Sequence, residues 1–192
     1  MHPSHGESDI CRGYLTDEAY LRHMIPHHQV AIDISEMHRK TSTSPRLQQV
    51  MRNLIRTQQI EICLMEHILK ERATNVSDRS STMHAHYIPT VADYLHPNHL
   101  GLSKTYCDPH FFNPAEHKRH LAHGTLDDRK YVEHMIPHHQ VAVDMSKVLI
   151  QNTRNDFMLD LAYRIIRSQQ DEIVLLNELL RSPYQHCSEL VD

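Results

Sequence analysis

The densest chemistry in the chain is the stretch HMIPHHQVA at residues 23–31, which returns letter for letter at 134–142, 111 positions further on. Each copy gathers one methionine and three histidines: His23, Met24, His27 and His28, then His134, Met135, His138 and His139. Imidazole nitrogen with thioether sulfur favours Cu(I), whereas imidazole and carboxylate together suit Cu(II), Zn(II) or iron. Met24 and His28 stand four residues apart and share one helix face. A single methionine there would be core filler, and a single histidine a hydrogen-bonded core residue. A neutral network of His28, Gln58 and Glu61 is the plain structural alternative.

Helices must carry these groups. Thr16 is placed to cap the first backbone amides, Asp17 and Glu18 suit the positive helix end, and Leu15 with Tyr20 has hydrophobic-staple spacing. The helix is expected to run to about Lys40 with Tyr20, Met24, His27 or His28, Ala31, Ile34 or Ser35, and His38 facing inward. Pro26 predicts a local kink or a ragged first turn before the paired histidines. Thr41–Pro45 then makes a short turn, with Ser44 as cap and Pro45 at the first helical position. A second helix follows, antiparallel to the first, from about Pro45 to Arg72.

Equal rise per residue fixes the level of each group across such a pair. His28 and Gln58 are equidistant from Thr43, and Met24 falls opposite Ile62, within a turn of Glu61 and Met65. The polar positions of both helices therefore converge. From Leu126 to about Arg181 the design recurs without a gap, with Asn155 in place of Ser44 and with Gln169 and Glu172 in place of Gln58 and Glu61. Leu176 replaces Met65 and Val148 replaces Met37, so the second ligand set has less sulfur.

Two such hairpins can bury their stripes against each other, which predicts an all-α four-helix bundle of two duplicated antiparallel hairpins with a long His-rich crossover linker. The expected segments are a tail at 1–14, a hairpin at 15–72, a linker with a short helix at 73–125, a hairpin at 126–182 and a tail at 183–192. Whether the ligands form one cluster or two sites depends on packing. The spacing favours two related but unequal sets, the first better for copper. Each hairpin could instead pair with a second copy of the chain in a homodimer.

Composition bounds the rest. The 192 residues, 40% hydrophobic and 23% charged with only four glycines, describe a helix-rich globular chain. A formal charge of −4 argues against a nucleic-acid partner. Nineteen histidines would reverse that sign as pH falls through about 6.5. No basic leader with an apolar run opens the chain and no window approaches a membrane span, so no membrane partner and an intracellular setting are expected. Cys11, Cys63, Cys107 and Cys187 form no CxxC pair and are expected as free thiols, with Cys63 a small buried hydrophobe. The linker holds His84, His86, His96, His99, His110, His117, His120 and His123; Asn113-Pro114 to Gly124 predicts a short helix with His117 and His120 on one face. A solvated connector is the expectation there, and a secondary metal store or a lid is the sharper alternative. His2 and His5 could bind Cu(II) at the amino terminus.

Met-Ile-x-His-His followed by Ala, with a downstream helix bearing Gln-x-x-Glu-Ile-x-x-Met, resembles domain-of-unknown-function family 305. The resemblance covers about Leu15 to Leu69 and Leu126 to Leu180, as two tandem copies. It implies a ferritin-like helical fold, copper binding as in some bacterial members, and a setting that is usually outside the cell. Its ligand positions fall on Met24, His27, His28, Gln58, Glu61 and Met65, and on Met135, His138, His139, Gln169 and Glu172. His23 and His134 stand one turn away, as further ligands or rim residues. The leading expectation is thus a copper-binding protein that sequesters or buffers the ion, with zinc or iron as alternative metals. A structural or interaction module with buried His–Glu networks is the second reading. A ferritin-like metal oxidase is the third, and it lacks the Glu-x-x-His histidine because Leu64 and Leu175 stand there.

Overall fold

Helix α1 (Asp17–His38) starts where its cap dictates, with Thr16 Oγ1 accepting from the Ala19 amide at 3.1 Å. It runs unbroken through Pro26, so the expected ragged start is not found. Nine residues of helix already precede the proline, and the buried face on either side holds the helix together. Helix α2 (Pro45–Val76) begins at the predicted proline, where Ser44 Oγ accepts from the Leu47 amide at 3.3 Å, and continues past Arg72. The computed structural model describes residues 13–76, 106, 108–121 and 126–181.

Two short helices lie in the linker. Helix α3 (Pro109–Phe112) follows Asp108, whose side chain accepts from the His110 amide, and α4 (Pro114–Leu121) follows Asn113, which accepts from Ala115. Helix α5 (Asp128–Asn152) is capped by Asp127, and α6 (Asp156–Arg181) by Asn155, which accepts from Phe157 and Met158. The described residues contain no strand, and the fold is all-α, built on four long helices.

Helices α1 and α2 pack as one hairpin, α5 and α6 as another; α1 lies on α5 and α2 on α6. One core cluster joins Leu15, Leu21, Met24 and Met65 to Val141, Met145, Leu149 and Ile165. The other joins Val30, Ile34, Leu47, Met51 and Leu54 to Val132, Met135 and Leu176. Each hairpin therefore covers the apolar stripe of the other. Helix α4 rests on α1 and α3 on α5, which brings the linker onto the long helices. No helix among the described residues is long and apolar enough to cross a membrane.

Cys63 is exposed, not buried as expected. It lies on the outward face of α2 beside Ile60 and Leu64, which are also exposed. The thiols of Cys11, Cys107 and Cys187, the histidines at 2, 5, 84, 86, 96, 99 and 123, and Gly124 lie outside the described residues, as does the side chain of His120.

Candidate metal centre

Position 27 of α1 and position 138 of α5 meet in the middle of the bundle. The two imidazoles stack with centroids 3.8 Å apart and planes inclined by 17°. Both residues are 1% exposed, and none of their four ring nitrogens has a protein hydrogen-bond partner. Burial, reinforced by the neighbouring imidazoles, holds both rings well below the usual histidine pKa. At neutral pH each is uncharged and carries one nitrogen lone pair. His23, with its ring 5.7 Å from that of His27, is lowered to about 4 by burial and then by His28.

Two hydrogen bonds flank the stack. Tyr20 of α1 bonds Ser146 of α5 at 2.7 Å, and Tyr131 of α5 bonds Ser35 of α1 at 2.7 Å. In each helix the stacked histidine follows its tyrosine by seven residues and precedes its serine by eight. The stack thus sits about two turns from either bridge. Burial raises both tyrosines; for Tyr20 the serine bond opposes the rise and the Glu61 charge adds to it.

The neighbouring histidines are held differently. His28 Nε2 meets Glu61 Oε2 at 2.8 Å, and His139 Nε2 meets Glu172 Oε2 at 2.7 Å, all four residues being buried. A carboxylate can only accept, so Nε2–H donates and Nδ1 keeps the lone pair in the neutral ring. In both histidines Nδ1 is buried without a protein partner. Glu61 is held more firmly than Glu172, because Ser168 Oγ also donates to its second oxygen at 2.8 Å. Gln58 and Gln169 are buried at the same level, and Gln169 leaves both amide atoms without a protein partner. Met24, Met65 and Met135 are fully buried, with Leu176 packed beside Met135 in the second cluster.

His134 is half-buried at the edge of this set and touches the linker. His117 of α4, fully buried, presents Nε2 to His134 Nε2 in direct contact, and its ring lies 4.6 Å from that of His138. The solvated-connector expectation therefore fails for His117. The signal at hand was the capped α4, but its docking on α1 is a long-range contact that spacing does not report. Sequence reasoning also missed Ser168 and both Tyr–Ser bridges. Among the described residues, no three His, Cys, Asp or Glu side chains already converge in a metal-holding arrangement. The imidazoles stack and pair instead. As a donor set, buried imidazole nitrogens without protein partners suit a soft or borderline ion.

Solved structures of CopM, in Cu(I)-bound, Cu(II)-bound, silver-bound and apo forms, resemble this fold. The Cu(I) form gives a TM-score of 0.60 at 29% identity, covering 89% of this chain and 99% of CopM, and the Cu(II) form 0.59 at 30%, covering 87% and 97%. A DUF305 fragment from Deinococcus radiodurans shares the fold at 20% identity and TM-score 0.54, covering 85% of this chain and 94% of the fragment. The uncharacterized protein L153 of Acanthamoeba polyphaga mimivirus is 44% identical over 55 residues, 29% of this chain and 36% of that protein's length. The sequence profile of the domain of unknown function DUF305 matches residues 17–180, and the chain belongs to that family.

Proposed function

We propose that this protein binds copper and sequesters or buffers it at the helix-bundle core. The carrying observation is the His27–His138 stack, whose four buried ring nitrogens lack protein partners. A folding role alone would leave that burial uncompensated, at about 1–3 kcal/mol per unsatisfied group. The ligands in this reading are His27, His138, His28 Nδ1 and His139 Nδ1, with Met24, Met135 and Met65 as the soft donors. Glu61 and Glu172 fix the tautomers of His28 and His139, and His23, Gln58 and Gln169 border the set. The resemblance to CopM, solved with Cu(I), Cu(II) and silver, supports the choice of metal. Met65 against Leu176 makes the first half richer in sulfur.

The chain in this reading is two tandem family units, 15–72 and 126–182, joined by 73–125 and flanked by tails at 1–14 and 183–192. The constant offset of 111 residues supports it: Tyr20 with Tyr131, His27 with His138, Ser35 with Ser146, and Glu61 with Glu172. The two ligand sets then share one centre between the hairpins.

A structural module is the second reading, favoured by the fully partnered Tyr–Ser bridges and by His38, which bonds Asp128 at 2.7 Å and stacks on Tyr131. Titration of the apo-protein with Cu(I), Cu(II), Zn(II) and Fe(II) separates the two. Cu(I) binds most tightly in our reading, and the combined variant His27→Ala/His28→Ala/His138→Ala/His139→Ala loses it. Unchanged binding in that variant removes these residues from the centre. The oxidase reading has least support, since exposed Leu64 and Leu175 occupy the positions where a di-iron histidine would stand.

A further inference from the structure

The linker histidines lie outside the centre just described, and the structure gathers two of them against α5. We infer that His110, His117 and His134 form a second, imidazole-only metal site at the mouth of the bundle, one that takes a borderline divalent ion such as Cu(II). Three separate helices supply the donors: α3 carries His110, α4 carries His117 and α5 carries His134. The His110 ring lies 5.7 Å from that of His117 and 5.8 Å from that of His134, and the His117 and His134 rings are 4.3 Å apart. The three ring nitrogens do not converge on one point as they stand, and the proposed site forms when the rings turn about their side-chain bonds to surround an ion.

His117 Nε2 and His134 Nε2 face each other in direct contact, which places two potential nitrogen donors side by side. Phe111 stands edge-on to His117, with centroids 5.9 Å apart, and 5.7 Å from His134, which screens one side of the group from water and strengthens ion–dipole attraction. His110 and His134 are half-buried whereas His117 is buried, so the site spans the boundary between solvent and core. Coordination by three imidazole nitrogens suits Cu(II) or Zn(II) better than Cu(I). The His117 ring also lies 4.6 Å from that of His138, and the stack follows at 3.8 Å. An ion held at the mouth therefore sits next to the inner donors.

The site shares no ligand with the proposed inner centre, so the two can fail independently. The test counts Cu(II) equivalents retained by the full chain against glycine as competitor, with electron paramagnetic resonance reading nitrogen superhyperfine coupling and separate titrations reading Cu(I). The variant His110→Ala/His117→Ala is expected to lose one Cu(II) equivalent and its multi-nitrogen signal while Cu(I) binding stays at the wild-type level. His27→Leu/His138→Leu is expected to do the reverse, losing Cu(I) and keeping that signal. His117→Gln, which keeps size and polarity but removes the imidazole, gives the same Cu(II) loss in a chain whose circular dichroism matches wild type. Wild-type Cu(II) stoichiometry and spectrum in His117→Gln or in the alanine pair would overturn the site. Loss of Cu(I) alone in the inner variant, with the outer signal intact, leaves it standing.

Discussion

Replacing both stacked histidines by leucine, His27→Leu/His138→Leu, separates a site built for a ligand from a core built for stability. Each neutral imidazole buries one donor and one acceptor, and none of the four atoms has a protein partner. At about 1–3 kcal/mol for each unsatisfied group, the gross penalty is about 4–12 kcal/mol, an upper bound because rings relax in any real ensemble. Leucine is close to histidine in volume, has better helix propensity and carries no polar atom, so overpacking costs of about 1–3 kcal/mol oppose only part of that gain. We expect the apo-variant to be more stable than the wild-type apo-protein by at least about 2 kcal/mol. For a chain of this size that raises the melting temperature by about 4–8 °C. Wild type should recover the difference when Cu(I) is added, since ligand at a hundredfold excess over Kd stabilises by about 2.7 kcal/mol, and the variant should show no such response. Thermal melts by circular dichroism, with and without Cu(I) and with chelator as control, measure both effects. A variant that melts below the wild-type apo-protein refutes the reasoning, because the rings would then contribute to folding rather than oppose it.

Two further outcomes follow from the same geometry. Glu61→Gln should cost more stability than Glu172→Gln, because only Glu61 also accepts the part-buried Ser168 hydrogen bond, worth about 0.5–1.5 kcal/mol, and a glutamine amide there must reverse that bond by donating to the serine; each should weaken copper binding by about 10–100-fold, and equal denaturant midpoints for the two would contradict the asymmetry. Alkaline pH should destabilise the fold through Tyr20 and Tyr131: both are raised above 10 in the folded state, so below that pH neither state has lost the proton, and above it the unfolded chain ionises first and stability falls; titration from pH 9 to 12 should show the loss shrink in Tyr20→Phe/Tyr131→Phe.

The hairpins were legible because local rules set them. Thr16, Ser44 with Pro45, and Asn155 mark helix starts, and the spacing of Leu47, Met51 and Leu54 marks a buried face. The level argument put Gln58 opposite His28, and the structure joins His28 to Glu61, one turn on. Helical side chains lean towards their own N-terminus, so in an antiparallel pair His28 and Glu61 reach back towards each other. What spacing could not supply was the relation between hairpins. The His27–His138 stack depends on how α1 crosses α5, and the position of His117 depends on where α4 docks; both are long-range contacts with no local pattern. Cys63 failed for another reason: residue type favours burial, but its place on the outward face of α2 decides exposure.

The two Tyr–Ser bridges also constrain motion. They join the start of each helix to the late turns of the other, so α1 and α5 run antiparallel and are bolted at both ends. Sliding one helix past the other by a single turn, about 5.4 Å, would break both bonds together. Opening of the bundle is thereby tied to global unfolding, and backbone amides in the middle turns of α1 and α5 should be among the last to exchange with deuterated solvent. Traffic at the stack is left to the side chains themselves, moving within a backbone frame that holds its register.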